Sequence, residues 1–110
     1  MLTAEKLEFT DFLKKGIEAR GKQQFSDALN WFDRATEINP SDALPYIAKG
    51  LIYKEQNILE KAIDAFNKAI EIDPKRAEAY KVLGLTYKAL NKIEKAKESF
   101  QKALGFEIFV

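Results

Sequence analysis

The sequence predicts an all-α fold of three antiparallel helical hairpins, and three observations support this. First, the 110-residue chain repeats itself every 34 residues, as the glycines at Gly16, Gly50 and Gly84 show. Second, apolar residues within each copy recur at spacings of three and four, as on one face of an α-helix. Third, Pro40 and Pro74 follow the second apolar run of the first two copies. A fixed period of this length is typical of repeat proteins and therefore predicts the fold class.

The repeat divides the chain into an extension and three copies. Residues 1–8 extend the first helix, and the copies occupy residues 9–42, 43–76 and 77–110. We interpret all of them as one domain, because about 110 residues suffice for one hydrophobic core.

The first copy predicts two helices. Thr3 can cap a helix that runs into the apolar face of residues 9–19, and Gly21 is a candidate stop. The second helix carries its apolar residues from Phe25 onward and ends before Pro40.

The second copy shows its boundaries more clearly. Its first helix is expected to begin near Asp42, because Pro45 costs little in a first turn and about 3 kcal/mol deeper in a helix. Asn57 is expected to end that helix, since asparagine tolerates the left-handed conformation, and Asn91 recurs at the same place. The second helix of this copy stops before Pro74.

The third copy begins at Ala77 and closes differently from the others. Gly105 can end its second helix, and the apolar or β-prone tail that follows lacks a proline. We expect the outer side of this hairpin to be open, and its apolar residues there are Ile93, Ala96, Phe100 and Leu104.

Composition excludes several functions. The chain has no Cys and no His, so thiol nucleophiles, imidazole bases and the usual zinc ligands are absent. Acid pairs such as Glu94 and Glu98 fit a solvated helix face, and we predict no catalytic residue, cofactor or metal. The net charge of +1 offers no general attraction to nucleic acid or a membrane surface. Neither a signal peptide nor a membrane span is evident, so we expect a cytoplasmic protein.

The repeated motif resembles the tetratricopeptide repeat, whose pattern is W-x2-L-G-x2-Y, then A-x3-F, then P. The third copy carries this pattern at Tyr80, Leu83, Gly84, Tyr87, Ala96 and Phe100. The resemblance implies a right-handed α-α superhelix, or solenoid, whose first helices line a concave side. It also implies a non-catalytic scaffold for protein–protein interaction.

The recurring small and aromatic residues predict how the helices pack. The glycines, with the small Ala28, Ala62 and Ala96 opposite them, let the two helices of a hairpin approach closely. The recurring phenylalanines are expected to fill the groove between neighbouring copies.

Nine residues on the first helices form the predicted peptide-binding groove. They lie one step around from the packing stripe, at the same three positions in each repeat. These residues are Leu13, Ile17 and Arg20 in the first copy, Ile47, Leu51 and Lys54 in the second, and Lys81, Leu85 and Lys88 in the third. An apolar floor edged by three cations would suit a peptide with alternating apolar and acidic residues. The alternative is that Ile17, Leu51 and Leu85 seal adjacent first helices together and the cations are solvated.

Some members of the family hold a C-terminal carboxylate with Lys, Asn and Arg on these helices. The matching columns here hold other residues, namely Leu13, Ile17, Ala48, Glu78 and Val82. We therefore predict that a chaperone C-terminal tail is not the partner.

The two ends of the repeat array depart from the pattern. Trp31 takes a column that holds Ala65 and Ser99, so it either covers an end of the stack, with Leu7, or anchors a partner. At the other end, a self-association tail is predicted at Phe106, Ile108, Phe109 and Val110. It would dock on its own third copy or on another copy to form a homo-oligomer, most simply a homodimer. The remaining interpretation is that the chain continues beyond residue 110 in a longer protein.

Overall fold

The computed structural model describes the backbone of residues 3–108 and the side chains of residues 3–107. It confirms the all-α prediction, since every regular element in this part of the chain is a helix. The six helices are α1 (Ala4–Gly21), α2 (Phe25–Ile38), α3 (Leu44–Glu55), α4 (Leu59–Ile72), α5 (Ala77–Ala89) and α6 (Ile93–Ile108).

The starts of α1 and α3 follow from local capping. The Thr3 hydroxyl accepts the N–H of Lys6 at 3.2 Å and so caps α1, as predicted, and the helix runs from Ala4 through residue 9 without a break. Helix α3 begins two residues later than predicted, because the Asp42 carboxylate accepts the N–H of Leu44 at 2.9 Å outside the helix. Pro45 lies in the first turn of α3, where its missing N–H is harmless.

The three hairpin turns share one backbone geometry. Asn57 and Asn91 adopt the left-handed conformation, with φ of 62° and 59°, as predicted. Gln23 takes the same role in the first hairpin at φ 59°, although glutamine has no special tolerance for it. In each turn, the residue directly after the left-handed one donates its N–H to a carbonyl in the last turn of the preceding helix. In the second hairpin, Ile58 donates to the Tyr53 carbonyl at 2.8 Å. The sequence period therefore extends to the backbone of the turns.

Within each hairpin, a phenylalanine ring lies directly against the repeated glycine. A Cβ built on Gly16 would lie 2.6 Å from Phe32, and one on Gly84 would lie 2.7 Å from Phe100. The phenylalanines, which were expected in the groove between neighbouring copies, thus also fill the space beside the glycine within their own hairpin. The missing Cβ makes room for the ring, and the two helices of the hairpin meet across it.

The hairpins stack in chain order, so that each first helix packs against both helices of the hairpin before it. Ile52 of α3 is fully buried against the first hairpin, and Leu83 of α5 packs into the core of the second. An ion pair between Lys49 of α3 and Asp33 of α2, at 2.6 Å, also joins the first two hairpins. Over residues 3–108, α1, α3 and α5 contact one another in sequence, whereas α2, α4 and α6 do not. The first helices therefore form the inner layer of an α-helical repeat solenoid.

Helix α6 does not stop where the sequence predicts. It runs through Gly105 to Ile108, and Gly105 does not adopt a positive φ. The helical backbone therefore includes part of the predicted tail. None of the helices within residues 3–108 has the length and apolar content that a bilayer crossing requires.

Candidate protein-interaction surface

The inner layer of first helices exposes an apolar column. Ile17 of α1 is 61% exposed and Leu85 of α5 is 45% exposed, while Leu51 of α3 is half-buried between them. These three residues hold the same place in consecutive repeats, and their helices contact in that order. We call this set the apolar column. Leu13, one turn before Ile17, is half-buried against the core of the first hairpin.

Ile47 does not contribute to the surface, which corrects its prediction as a groove residue. It is 2% exposed and packs in the core cluster with Ala43, Ala62 and Leu83. The Ile47 side chain instead joins the cores of the second and third hairpins.

Sequence reasoning missed Leu44 as a surface residue. Leu44 is 41% exposed, and its spacing of seven residues from Leu51 places it on the same side of α3. The signal was weak, because the other copies hold the polar residues Thr10 and Glu78 in its column.

Two of the predicted cations already have partners. Arg20 of α1 forms an ion pair with Glu55 at the end of α3, and both side chains are a little more than a third exposed. Lys81 of α5 forms an ion pair with Glu107 of α6. Lys54 and Lys88 form no ion pair with any described residue. The three cations predicted at the edge of the groove are Arg20, Lys54 and Lys88, so pairing of Arg20 leaves only the two lysines, on α3 and α5, without a described ion pair.

The positions at which some family members hold a C-terminal carboxylate carry four apolar side chains and one acid in this chain. Ala48 and Val82 are half-buried there, and Glu78 is exposed in the first turn of α5. They lie on the same first helices as Leu13 and Ile17. None of these five side chains can donate a hydrogen bond to a carboxylate at neutral pH.

Trp31 lies on the N-terminal face of the first hairpin. Its ring stacks on Phe12 with 5.7 Å between the centroids, and the Lys15 ammonium lies 4.8 Å from its ring centre. Arg34 lies 5.1 Å from the same ring. Leu7 remains 55% exposed. Trp31 thus packs on the core of the first hairpin with Phe12 and two cations around its ring.

Phe106 of the predicted tail folds onto its own repeat. Its ring stacks on Tyr80 at 5.4 Å, and the Tyr80 hydroxyl donates to the Pro74 carbonyl at 3.0 Å. Phe106 therefore contacts its own third copy, which is the first of the two docking sites that the sequence left open, and this contact does not involve another copy. The backbone of Ile108 continues α6, whereas its side chain, Phe109 and Val110 lie outside the described residues.

A stacked array of helical hairpins with an exposed inner layer defines a class of protein, the helical-repeat scaffold. A family profile described as "TPR repeat" matches residues 50–91, and another described as "Tetratricopeptide repeat" matches residues 77–107. The chain belongs to the tetratricopeptide repeat family. No curated protein sequence matches the chain.

Solved structures of this family have the same fold. MamA is 29% identical with a TM-score of 0.84, over 90% of this chain and 58% of its own, so this chain spans somewhat more than half of MamA. The Arabidopsis OM64 TPR domain is 24% identical with a TM-score of 0.86, over 97% of this chain and 88% of its own. The first TPR of Spaghetti (RPAP3), bound to the HSP90 peptide SRMEEVD, is 19% identical with a TM-score of 0.85. That match covers 92% of this chain and 80% of the Spaghetti chain.

Proposed function

We propose that the inner layer of first helices binds an apolar segment of a partner protein. The observation that carries the proposal is the exposure of Ile17 and Leu85 on either side of Leu51 in one column. Isolated exposed apolar residues are ordinary on protein surfaces, but an aligned set on adjacent helices forms a patch that a partner can cover.

The charges beside the apolar column determine which flanking residues the partner carries. Arg20 is compensated by Glu55, so the first hairpin offers little net positive charge at this edge. Lys54 and Lys88 lie beside the second and third hairpins. We therefore infer a segment that is apolar throughout and has acidic residues only over α3 and α5, instead of a regular apolar and acidic alternation.

A C-terminal carboxylate is a poor ligand for this surface. The Spaghetti domain binds an HSP90 peptide, but at 19% identity it shares only the fold with this chain. In this chain the matching columns present apolar side chains and Glu78, which would leave a buried carboxylate without a donor and add a like charge. We infer that the partner is recognised through an internal apolar segment.

Selection of random phage-displayed peptides on the purified protein tests the proposal. We expect enriched peptides to be rich in apolar residues with a few acids. In fluorescence anisotropy, Leu85→Glu should weaken their binding about tenfold or more, since it places a charge in an apolar contact. Ile58→Glu is the matched control, because Ile58 is 40% exposed in the α3–α4 turn, outside the inner layer. SRMEEVD should show no saturable binding.

Two outcomes would refute this proposal. One is enrichment of peptides whose binding Leu85→Glu and Ile58→Glu reduce equally. The other is saturable binding of SRMEEVD that requires its free C-terminal carboxylate and that the amidated peptide lacks.

A further inference from the structure

Helix α6 carries an apolar stripe in columns that are covered in the other two hairpins. In α4 these columns hold Leu59, Ile63, Phe66 and Ile70. The last three of them pack in one core cluster with Ala79 and Leu83 of α5. In α6 they hold Ile93, Lys97, Phe100 and Leu104, which we call the α6 stripe. Ile93 is 44% exposed and Leu104 is 57% exposed.

The burial of the repeated phenylalanine depends on whether another hairpin follows its own. Phe32 and Phe66 are fully buried, since a following hairpin covers each of them. Phe100 makes the same contact with Gly84 but is only half-buried, because no further helix covers it within residues 3–108. Among residues 3–107, whose side chains the structure describes, the α6 stripe is therefore a helix face without a partner.

The first hairpin of another copy cannot take the place of a following repeat. The columns that α5 turns toward α4 hold Ala79, Leu83 and Thr86, all of which are buried. In α1 the same columns hold Asp11, Lys15 and Glu18, all of which are exposed and charged. Burying these charges against Phe100 and Leu104 would cost more than the apolar contact returns. Head-to-tail stacking of copies is therefore disfavoured.

We propose that the α6 stripe binds the α6 stripe of a second copy, in an antiparallel arrangement about a two-fold axis. The spacings along the stripe are four, three and four residues, so reversing the helix direction superposes the stripe on itself. Ile93 then faces Leu104 of the second copy.

The antiparallel register also accommodates Lys97, which is the one charged residue of the α6 stripe. Lys97 faces Phe100 of the second copy, so two ammonium groups do not meet, and each lies over an aromatic ring. Within the chain, Lys61 lies over Tyr53 and Lys95 over Tyr87 with 5.7 Å to each ring centre, so lysine already pairs with aromatic rings in this protein. The long methylene stem of Lys97 can cover apolar surface while its charge stays at the edge.

This dimer differs from the tail-mediated association that the sequence predicts. Phe106 packs on Tyr80 of its own chain, and the contact between copies is made by the α6 stripe instead of the tail. It also leaves Ile17 and Leu51 of the apolar column free. With 16 residues, α6 is about 24 Å long. An interface of that length is at the small end of specific interfaces, so a dimer with micromolar affinity is expected.

Disulfide crosslinking tests the register directly, because the natural sequence contains no cysteine. The double variant Ile93→Cys, Leu104→Cys should form a covalent dimer under mild oxidation. The two positions are about 16 Å apart on one helix, beyond the reach of a disulfide within the chain. Each single variant should stay monomeric on a non-reducing gel, since like positions of the two copies lie apart in the antiparallel register.

The matched control places cysteines with the same spacing on α1, by Leu7→Cys and Glu18→Cys, and should crosslink far more slowly. Light scattering supplies the second measurement. Leu104→Glu should raise the dimer dissociation constant about tenfold or more, whereas Leu7→Glu, at similar exposure, should leave it unchanged.

Three results would overturn the proposal. They are a monomer at all concentrations up to about 1 mM, crosslinking of the α1 pair at an equal rate, and equal dimerisation of the Leu104→Glu variant. The peptide-binding test with Leu85→Glu and the dimerisation test with Leu104→Glu can fail independently, since the first measures peptide affinity and the second measures the mass of the protein. Far-UV circular dichroism of each variant confirms that it is folded.

Discussion

Replacing Gly50 by alanine should destabilise the protein by about 1–2 kcal/mol, although alanine is the better helix former. The new Cβ would lie 2.6 Å from Cδ1 and 2.8 Å from Cζ of Phe66, well inside the 3.4 Å at which ordinary contact begins. Phe66 is fully buried, so its ring cannot swing into solvent and the two helices of the hairpin must separate. Overpacking of this kind costs about 1–3 kcal/mol, from which the helix propensity of alanine recovers somewhat less than 1 kcal/mol.

Urea denaturation followed by far-UV circular dichroism measures this change. The matched control is Gly105→Ala, because no atom lies within 4 Å of the Cβ position at Gly105 and α6 continues through it. That variant should gain about 0.5–1 kcal/mol from helix propensity alone. Adding Phe66→Leu to Gly50→Ala should recover part of the loss, since the smaller side chain vacates the space.

The reasoning is refuted if Gly50→Ala and Gly105→Ala change the free energy of unfolding in the same direction. It also fails if Phe66→Leu destabilises the Gly50→Ala variant as much as it destabilises the natural sequence. Either result would mean that the ring and the glycine are not energetically coupled.

Two smaller predictions concern the backbone. Gln23→Gly should stabilise the protein by up to about 1 kcal/mol, because it removes the cost of the left-handed conformation, whereas Asn57→Gly should change stability by a few tenths. Thermal melting of the two variants compares them, and a lower melting temperature for Gln23→Gly than for the natural sequence would contradict the argument. Thr3→Ala should cost about 1 kcal/mol, since the N–H of Lys6 loses its acceptor. Hydrogen exchange should show faster exchange at that amide and unchanged protection in α5, and uniform loss of protection would show a different cause.

Much of this fold could be predicted from the sequence, because the residues that form the helices and turns of a hairpin recur three times with a period of 34 residues. Asn57 and Asn91 predicted the left-handed turns, and Pro45 limited the start of α3 to within two residues. The prediction that α6 ends at Gly105 was wrong, since a glycine ends a helix in this way only if it takes a left-handed conformation. Here the contact of Phe106 with Tyr80 favours one more helical turn over a stop.

The candidate surface was less predictable, because exposure depends on contacts between distant residues. Ile47 and Leu51 are both apolar and one turn apart, yet the first is buried in the core and the second lies at its edge. The partner of Arg20 is Glu55, 35 residues away in the chain, and helical periodicity gives no sign of such a pair. Column positions therefore predicted which helix side faces inward, but not which side chains remain accessible there.

The position of Trp31 gives the protein an optical label at one end. Trp31 is the single tryptophan of the chain and belongs to the first hairpin, whereas the four tyrosines belong to the second and third. Because hairpins in a repeat array contact only their neighbours, the ends can open before the middle. Separation of the ring from Phe12 would change tryptophan emission while tyrosine emission still reports intact neighbours. Fraying of the N-terminal hairpin can thus be followed in the unmodified protein, apart from the unfolding of the rest of the array.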